Sequence, residues 1–317
     1  MIEDERNEKN GKAAETERSG SGENFSEKQK KKRKVGAGRI ILRVFACFFA
    51  FCFLALAGVE LSTQISDKTW EQWKPSYEKA DLTEILSKEQ SALTEEDYAV
   101  IYAQTGLTKI GADRLIEKGK KSKISSIQQS YFANVSVTRE RFAPWTCWEK
   151  LEDGERAEIG DVRAGDIIVT SATHVLGFRY GHAALVVSDG GTILEANTPG
   201  TKSHLTNVNT FDDYATFMVL RPDPEKISDE TRLAVAEYAR NELVEIPYTV
   251  FAGIFRKKFQ QPLQGTQCAH IVWYAYKNFG IDLDGNGGCI VKPQDMANSE
   301  YMQIVQIYGF DPEKVWT

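Results

Sequence analysis

Histidine is scarce in this chain: four residues in 317, and only five cysteines accompany them. Five cysteines in such a length exclude a disulfide scaffold. No His/Cys group has the spacing of a zinc site. No glycine-rich loop with a lysine stands ready to cradle phosphate, and there are no internal repeats. A surplus of positive charge is also missing, since the net charge is −6 and the longest run of basic residues lies near the N-terminus. An acidic folded part argues against nucleic acid as partner. No cofactor and no metal is expected.

What is present begins with a polar leader, 1–39, rich in Glu, Lys, Asn, Ser and Gly, which cannot bury a core and is expected to be disordered. It ends in Lys30-Lys31-Lys32-Arg33-Lys34, a string that in isolation resembles a nuclear localisation signal. The next 22 residues, 40–61, are apolar except for Arg43 and Glu60. At about 1.5 Å per residue they match a bilayer core, and the basic N-terminal flank predicts a cytoplasmic N-terminus. The chain therefore reads as a single-pass signal-anchor with its bulk outside the cell membrane. A cleaved signal peptide is the competing reading, because Ala55-Leu56-Ala57 resembles a cleavage site.

Residues 62–133 read as helical and polar, a spacer or a gating arm. Leu93-Thr94-Glu95-Glu96-Asp97 is a helix-start signal, and Tyr98, Ile101, Tyr102 and Leu107 mark a buried stripe. From 134 to 317 the texture turns to short β-like runs: 167–170, 181–188, 192–197 and 216–221. A helix over 228–243, capped by Ser228, follows. A last apolar helix begins near Cys268, with Thr266 as the expected N-cap and Gly280 as the stop. Strands first and helices after, without βαβ alternation, predict an α+β fold with an antiparallel sheet.

Cys268 in the first turn of a buried helix faces the positive end of the macrodipole, which lowers a thiol pKa. A nucleophilic cysteine needs a base and a group to orient it. His270 is two residues on and points to another face, while His174 and His204 fall in apparent loops. His182 lies on an otherwise apolar strand. If Asp189-Gly190 forms a two-residue hairpin turn, Ala184 lies opposite Glu195 and His182 opposite Asn197. His182, Glu195 and Asn197 then share one face, with Glu195 and Asn197 as two candidate orienters of the imidazole. A three-residue turn would send Glu195 to the other side.

The ordered set GDIIV, GHAALVV, ILEA, PY, QCAHIVWYAY and GIDL resembles the permuted NlpC/papain-like amidases, the YiiX/YaeF/YycO-like group, over about residues 160–317. In ordinary NlpC-type enzymes the cysteine helix precedes the histidine strand; here, as in the permuted group, it follows. Ala269 stands where those enzymes usually carry Ser. The resemblance implies a circularly permuted papain-like domain in which Cys268 is nucleophile, His182 general base and then acid, and Glu195 the orienter of the imidazole. It further implies Tyr248 beside the oxyanion. Amide bonds in cell-wall peptides are then the expected substrates. Acyl-amide or ester bonds of lipids, or a non-catalytic binding module, are the alternatives, and the oligomeric state is left open. Two further features stay open: a Cys147–Cys289 disulfide, and a calcium loop at Asp282–Gly287, which lacks the twelfth-position glutamate because Pro293 stands there.

Overall fold

The computed structural model describes residues 38–65, 72–143, 145–152 and 154–316. Most of the leader, 1–37, and the first part of the expected spacer, 66–71, lie outside the described residues. The chain divides into two compact units, Met1–Leu61 and Ser62–Thr317. The first contains most of α1 (Gly38–Ile65), a 28-residue helix with an 18-residue stretch of mean hydropathy 2.6, long and apolar enough to cross a membrane. It starts two residues before the expected span and ends four residues after it.

In the second unit a helical stretch comes first: α2 (Thr83–Ser87), a 3₁₀ turn at Gln90–Ala92, α3 (Glu95–Thr105), α4 (Lys109–Glu117) and α5 (Lys121–Tyr131). Thr94 caps α3 through a reciprocal pair with Asp97, and three acids fill the first turn, so dipole and cap act together. Ile101 and Leu107 are fully buried. The helix stops at Gly106, whose φ of +71° suits glycine; a Cβ there would stand 2.1 Å from the Ile307 carbonyl oxygen. These helices are not a free spacer. The Thr108 amide donates to the Val305 carbonyl, the Ile307 amide donates to the Gly106 carbonyl, and α4 packs on the last strand of the sheet.

The remainder is α+β with two antiparallel sheets. Strands β1 (Val137–Glu140), β2 (Thr146–Leu151) and β4 (Thr173–Val175) form the smaller one, in the order β1-β2-β4. The larger runs β7-β6-β5-β3-β8-β9, from β3 (Ile167–Thr170), β5 (His182–Val186), β6 (Thr192–Glu195), β7 (His204–Asn207), β8 (Phe217–Pro222) and β9 (Met302–Tyr308). Every residue of β5 is buried, as an apolar strand between two neighbours requires. A bidentate Arg221–Asp166 pair, 3.0 and 2.7 Å, fastens the end of β8 to the start of β3.

Each face of this sheet has its own core. Ile167, Val169, Ala183 and Leu185 pack with α6 (Asp229–Glu242) and α7 (Cys268–Lys277). Ile168, Ala184, Val186 and Ile193 pack with Phe211 and Tyr131. Ser228 caps α6 through the Thr231 amide. A short α8 (Pro293–Ala297) precedes β9. Cys147 is buried on β2 whereas Cys289 is exposed, and neither is in a disulfide, so the bridge left open by the sequence is not made.

Candidate active site

The β5–β6 hairpin sets the geometry. The Gly191 amide donates to the Ser188 carbonyl at 3.0 Å across Asp189-Gly190, and Leu185 pairs with Leu194 and Val186 with Ile193. This is the two-residue register expected from the sequence. It brings the imidazole of His182 to the carboxylate of Glu195, with Nε2 to Oε2 at 2.8 Å. Because a carboxylate only accepts, Nε2 carries the proton and Nδ1 is left for the sulfur. The ring also stacks on Phe211, centroids 5.4 Å apart, which fixes its plane. Gly181, with φ +76°, lets the chain enter β5; a Cβ there would sit 2.4 Å from the Thr170 carbonyl oxygen.

Cys268 opens α7 and lines the same cleft as His182. Burial pushes its thiol up, but His182 and the backbone amides of Ala269 and Ala183 outweigh that, and the net displacement is downward. On His182, burial acts downward; the hydrogen bonds and charges of Cys268 and Glu195 prevail and raise it. Glu195 is lifted by burial but held below its ordinary value by His182, Asn197 and His204. All three directions favour the thiolate–imidazolium–carboxylate state.

Two features of this cluster differ from expectation. Asn197 does not orient the imidazole directly: its Nδ2 donates to Glu195 Oε1 at 3.0 Å and steadies the carboxylate. His204 is not in a loop. It opens β7, pairs with Glu195 across the strands, and brings Nε2 to 3.4 Å from Oε1. His174 likewise lies on β4, 3.0 Å from the buried Glu149, which also binds Arg179.

The helix start also needs correction. Gln267 occupies the N-cap position of α7 without a capping side-chain bond. Thr266 instead meets His270, Oγ1 to Nδ1 at 2.9 Å, while His270 Nε2 donates to the Lys258 carbonyl at 2.8 Å. Burial keeps that imidazole neutral by lowering its pKa, so His270 supports the loop before the helix and takes no part in the triad.

A cleft of about 530 Å³ opens onto Cys268, His182 and Glu195. Tyr248 lines it, and burial first, then the nearby Cys268, raises its phenol well above the ordinary range, so the hydroxyl stays a donor. Gln267 lines it too, and its Nε2 is buried with no hydrogen-bond partner among the described residues. No sequence signal singled out Gln267; only the N-cap geometry aims it at the cleft. The Asp282–Gly287 turn carries no cation-ready carboxylates: Asp282 accepts from Trp273 and Lys277, and Asp284 pairs with Lys258. No group of three or more metal-ligating side chains occurs among the described residues.

Compared with known proteins, the chain matches no family model, no curated protein and no solved structure.

Proposed function

We propose that this protein is a cysteine hydrolase that cleaves amide or ester bonds through a thioester on Cys268. The observation that carries the reading is the chain of contacts Cys268–His182–Glu195 at the floor of a cleft. In this scheme the Cys268 thiolate attacks the carbonyl carbon. The oxyanion is held by the free amides at the α7 start, with the Gln267 amide and the Tyr248 hydroxyl as side-chain donors. His182 gives its Nδ1 proton to the leaving nitrogen or oxygen, and the thioester remains. Water then enters, His182 takes its proton, and the acid departs, restoring the thiolate.

The order of elements supports a permuted papain-like domain, because the histidine strand β5 precedes the cysteine helix α7 in the chain. The basic block before α1 supports an anchor whose N-terminus is cytoplasmic and whose second unit is extracytoplasmic. Cell-wall peptides and acyl amides or esters of lipids are both substrates in reach of such an enzyme. The lining of the cleft, with Val175, Leu176, Val250, Phe251 and Ile254, favours the acyl compounds.

Intact-mass analysis of the full chain after exposure to a p-nitrophenyl acyl ester tests the chemistry. The expected product is one hydroxylamine-labile acyl group on Cys268, absent from Cys268→Ser. Acylation elsewhere, or none, would leave a binding module as the better reading. Gln267→Ala is expected to lower kcat by about 10²-fold with little change in KM, the usual cost of one oxyanion donor. An unchanged kcat would remove Gln267 from the site.

A further inference from the structure

Around the mouth of the cleft stand three loops that carry large apolar side chains into solvent. The β1–β2 hairpin exposes Phe142 and Trp145; the turn after β4 exposes Val175, Leu176 and Phe178; the segment before α7 exposes Val250, Phe251, Ile254 and Phe255. Outside α1, eleven of the sixteen large hydrophobic side chains exposed among the described residues lie on these loops or the residues just beyond them. They are contiguous with the site. The Leu176 amide donates to the Trp145 carbonyl at 2.7 Å, and both the second and third loops line the cleft above Cys268. Leu176 is held at φ +56°, a left-handed conformation that leucine seldom adopts, while its side chain stays 41% exposed. Phe255, the most prominent of the group, is 80% exposed.

Such a concentration of exposed apolar surface marks an interaction site. Charge indicates the partner. Between Ile246 and Gln267 there is no acid, whereas the exposed Arg256 and Lys257 follow Phe255 directly, in a chain whose net charge is −6. Arg139 and Arg141, with Glu140 between them, are exposed beside Phe142. Aromatic and aliphatic tips flanked by Arg and Lys are the composition of a surface that dips into anionic lipid: the rings enter the acyl boundary and the cations meet the headgroups. A protein partner would be met by a rim with a mixed polar edge. The bilayer is also the surface to which α1, as proposed above, would attach the chain.

We infer that the apolar rim of the cleft docks into an anionic lipid surface, so that Cys268 opens toward the bilayer. The substrate reaching the thiol by this route is an acyl chain bearing an amide or ester. That last step rests on the hydrolase reading, whereas the docking does not.

The test uses the full chain in lipid nanodiscs containing anionic lipid brominated along its acyl chains. Phe255→Trp is compared with wild type and with Leu233→Trp, an exposed control on α6 outside the three loops. Trp at 255 is expected to lose roughly half its added emission to the bromines, since side chains of such interfaces sit about 5–10 Å into the headgroup–acyl boundary. The L233W signal should be unaffected. Adding R256E and K257E to F255W should bring quenching down toward the control. The inference is overturned if F255W is quenched no more than L233W. It is equally overturned if position 255 is shielded from both the bromines and aqueous iodide, the pattern of a second copy or another protein. Because no chemistry is read, failure of the hydrolase reading would leave this result untouched.

Discussion

Iodoacetamide will alkylate Cys268 at nearly the same rate from about pH 6 to about pH 8, where an ordinary thiol of pKa about 8.5 would gain almost all of its reactivity. The sign follows from the site. The thiol lies below its ordinary value and the imidazole above its own, so the ion pair exists across the interval between them. In His182→Ala the principal downward influence on the thiol is gone, and burial, which acts upward, is opposed only by two backbone amides. Reaction at pH 7 should then fall at least about 30-fold, because even an exposed thiol is only about 3% thiolate there. Peptide mapping separates this thiol from the exposed Cys289, and the buried Cys147 should stay unmodified in both proteins. A wild-type profile that climbs through the ordinary thiol range, indifferent to His182→Ala, would sink the thiolate–imidazolium pair.

The second large effect concerns the carboxylate. Glu195→Gln keeps an oxygen within reach of Nε2 but removes the charge that helps to raise His182. The imidazolium form loses support, so its pKa falls and the thiol rises in step. We expect kcat on an activated ester to drop about 10⁴-fold, the loss seen when the orienting carboxylate of a Ser-His-Asp triad is neutralised, with KM nearly unchanged. The pH profile supplies the readout that a merely structural role would not move. The lower limb of Cys268 alkylation should be displaced toward higher pH, so that the plateau begins later. A folded E195Q with the wild-type plateau would show that the carboxylate does not act through His182.

Much of this site could be derived from residues alone because one local rule fixed it. Asp189-Gly190 forces a two-residue turn, and counting from the turn places Glu195 on the face of His182. The cap at Thr94 and the α1 stretch were equally legible, since each depends on neighbours in sequence. What escaped detection depends on distant partners. Strand β2 alternates properly, but its inward position 149 is a glutamate, bearable only because Arg179 and His174 reach it from another segment. In β9, Gln306 is buried and binds both the Gly160 amide and the Glu158 carbonyl, which breaks the apolar pattern. Thr266 had the right chemistry for a cap, but His270 one turn later was a nearer partner for its hydroxyl. The segment 249–264 shows no periodicity at all, and its meaning emerges only when its side chains are seen around the cleft.

The packing of the helical stretch on β9 has a consequence for solubility. A seven-residue strand at the margin of a six-stranded sheet offers unpaired amides and carbonyls to any passing chain. Here Gly106 and Thr108 occupy part of that margin, at Ile307 and Val305, and Thr108 Oγ1 takes the Ile304 carbonyl as well. The opposite margin, β7, is only four residues long and polar at most positions. Residues 95–131 thus close the side of the sheet most able to recruit another molecule. A truncation that removed them as a mere tether would leave the second unit prone to edge-to-edge strand pairing.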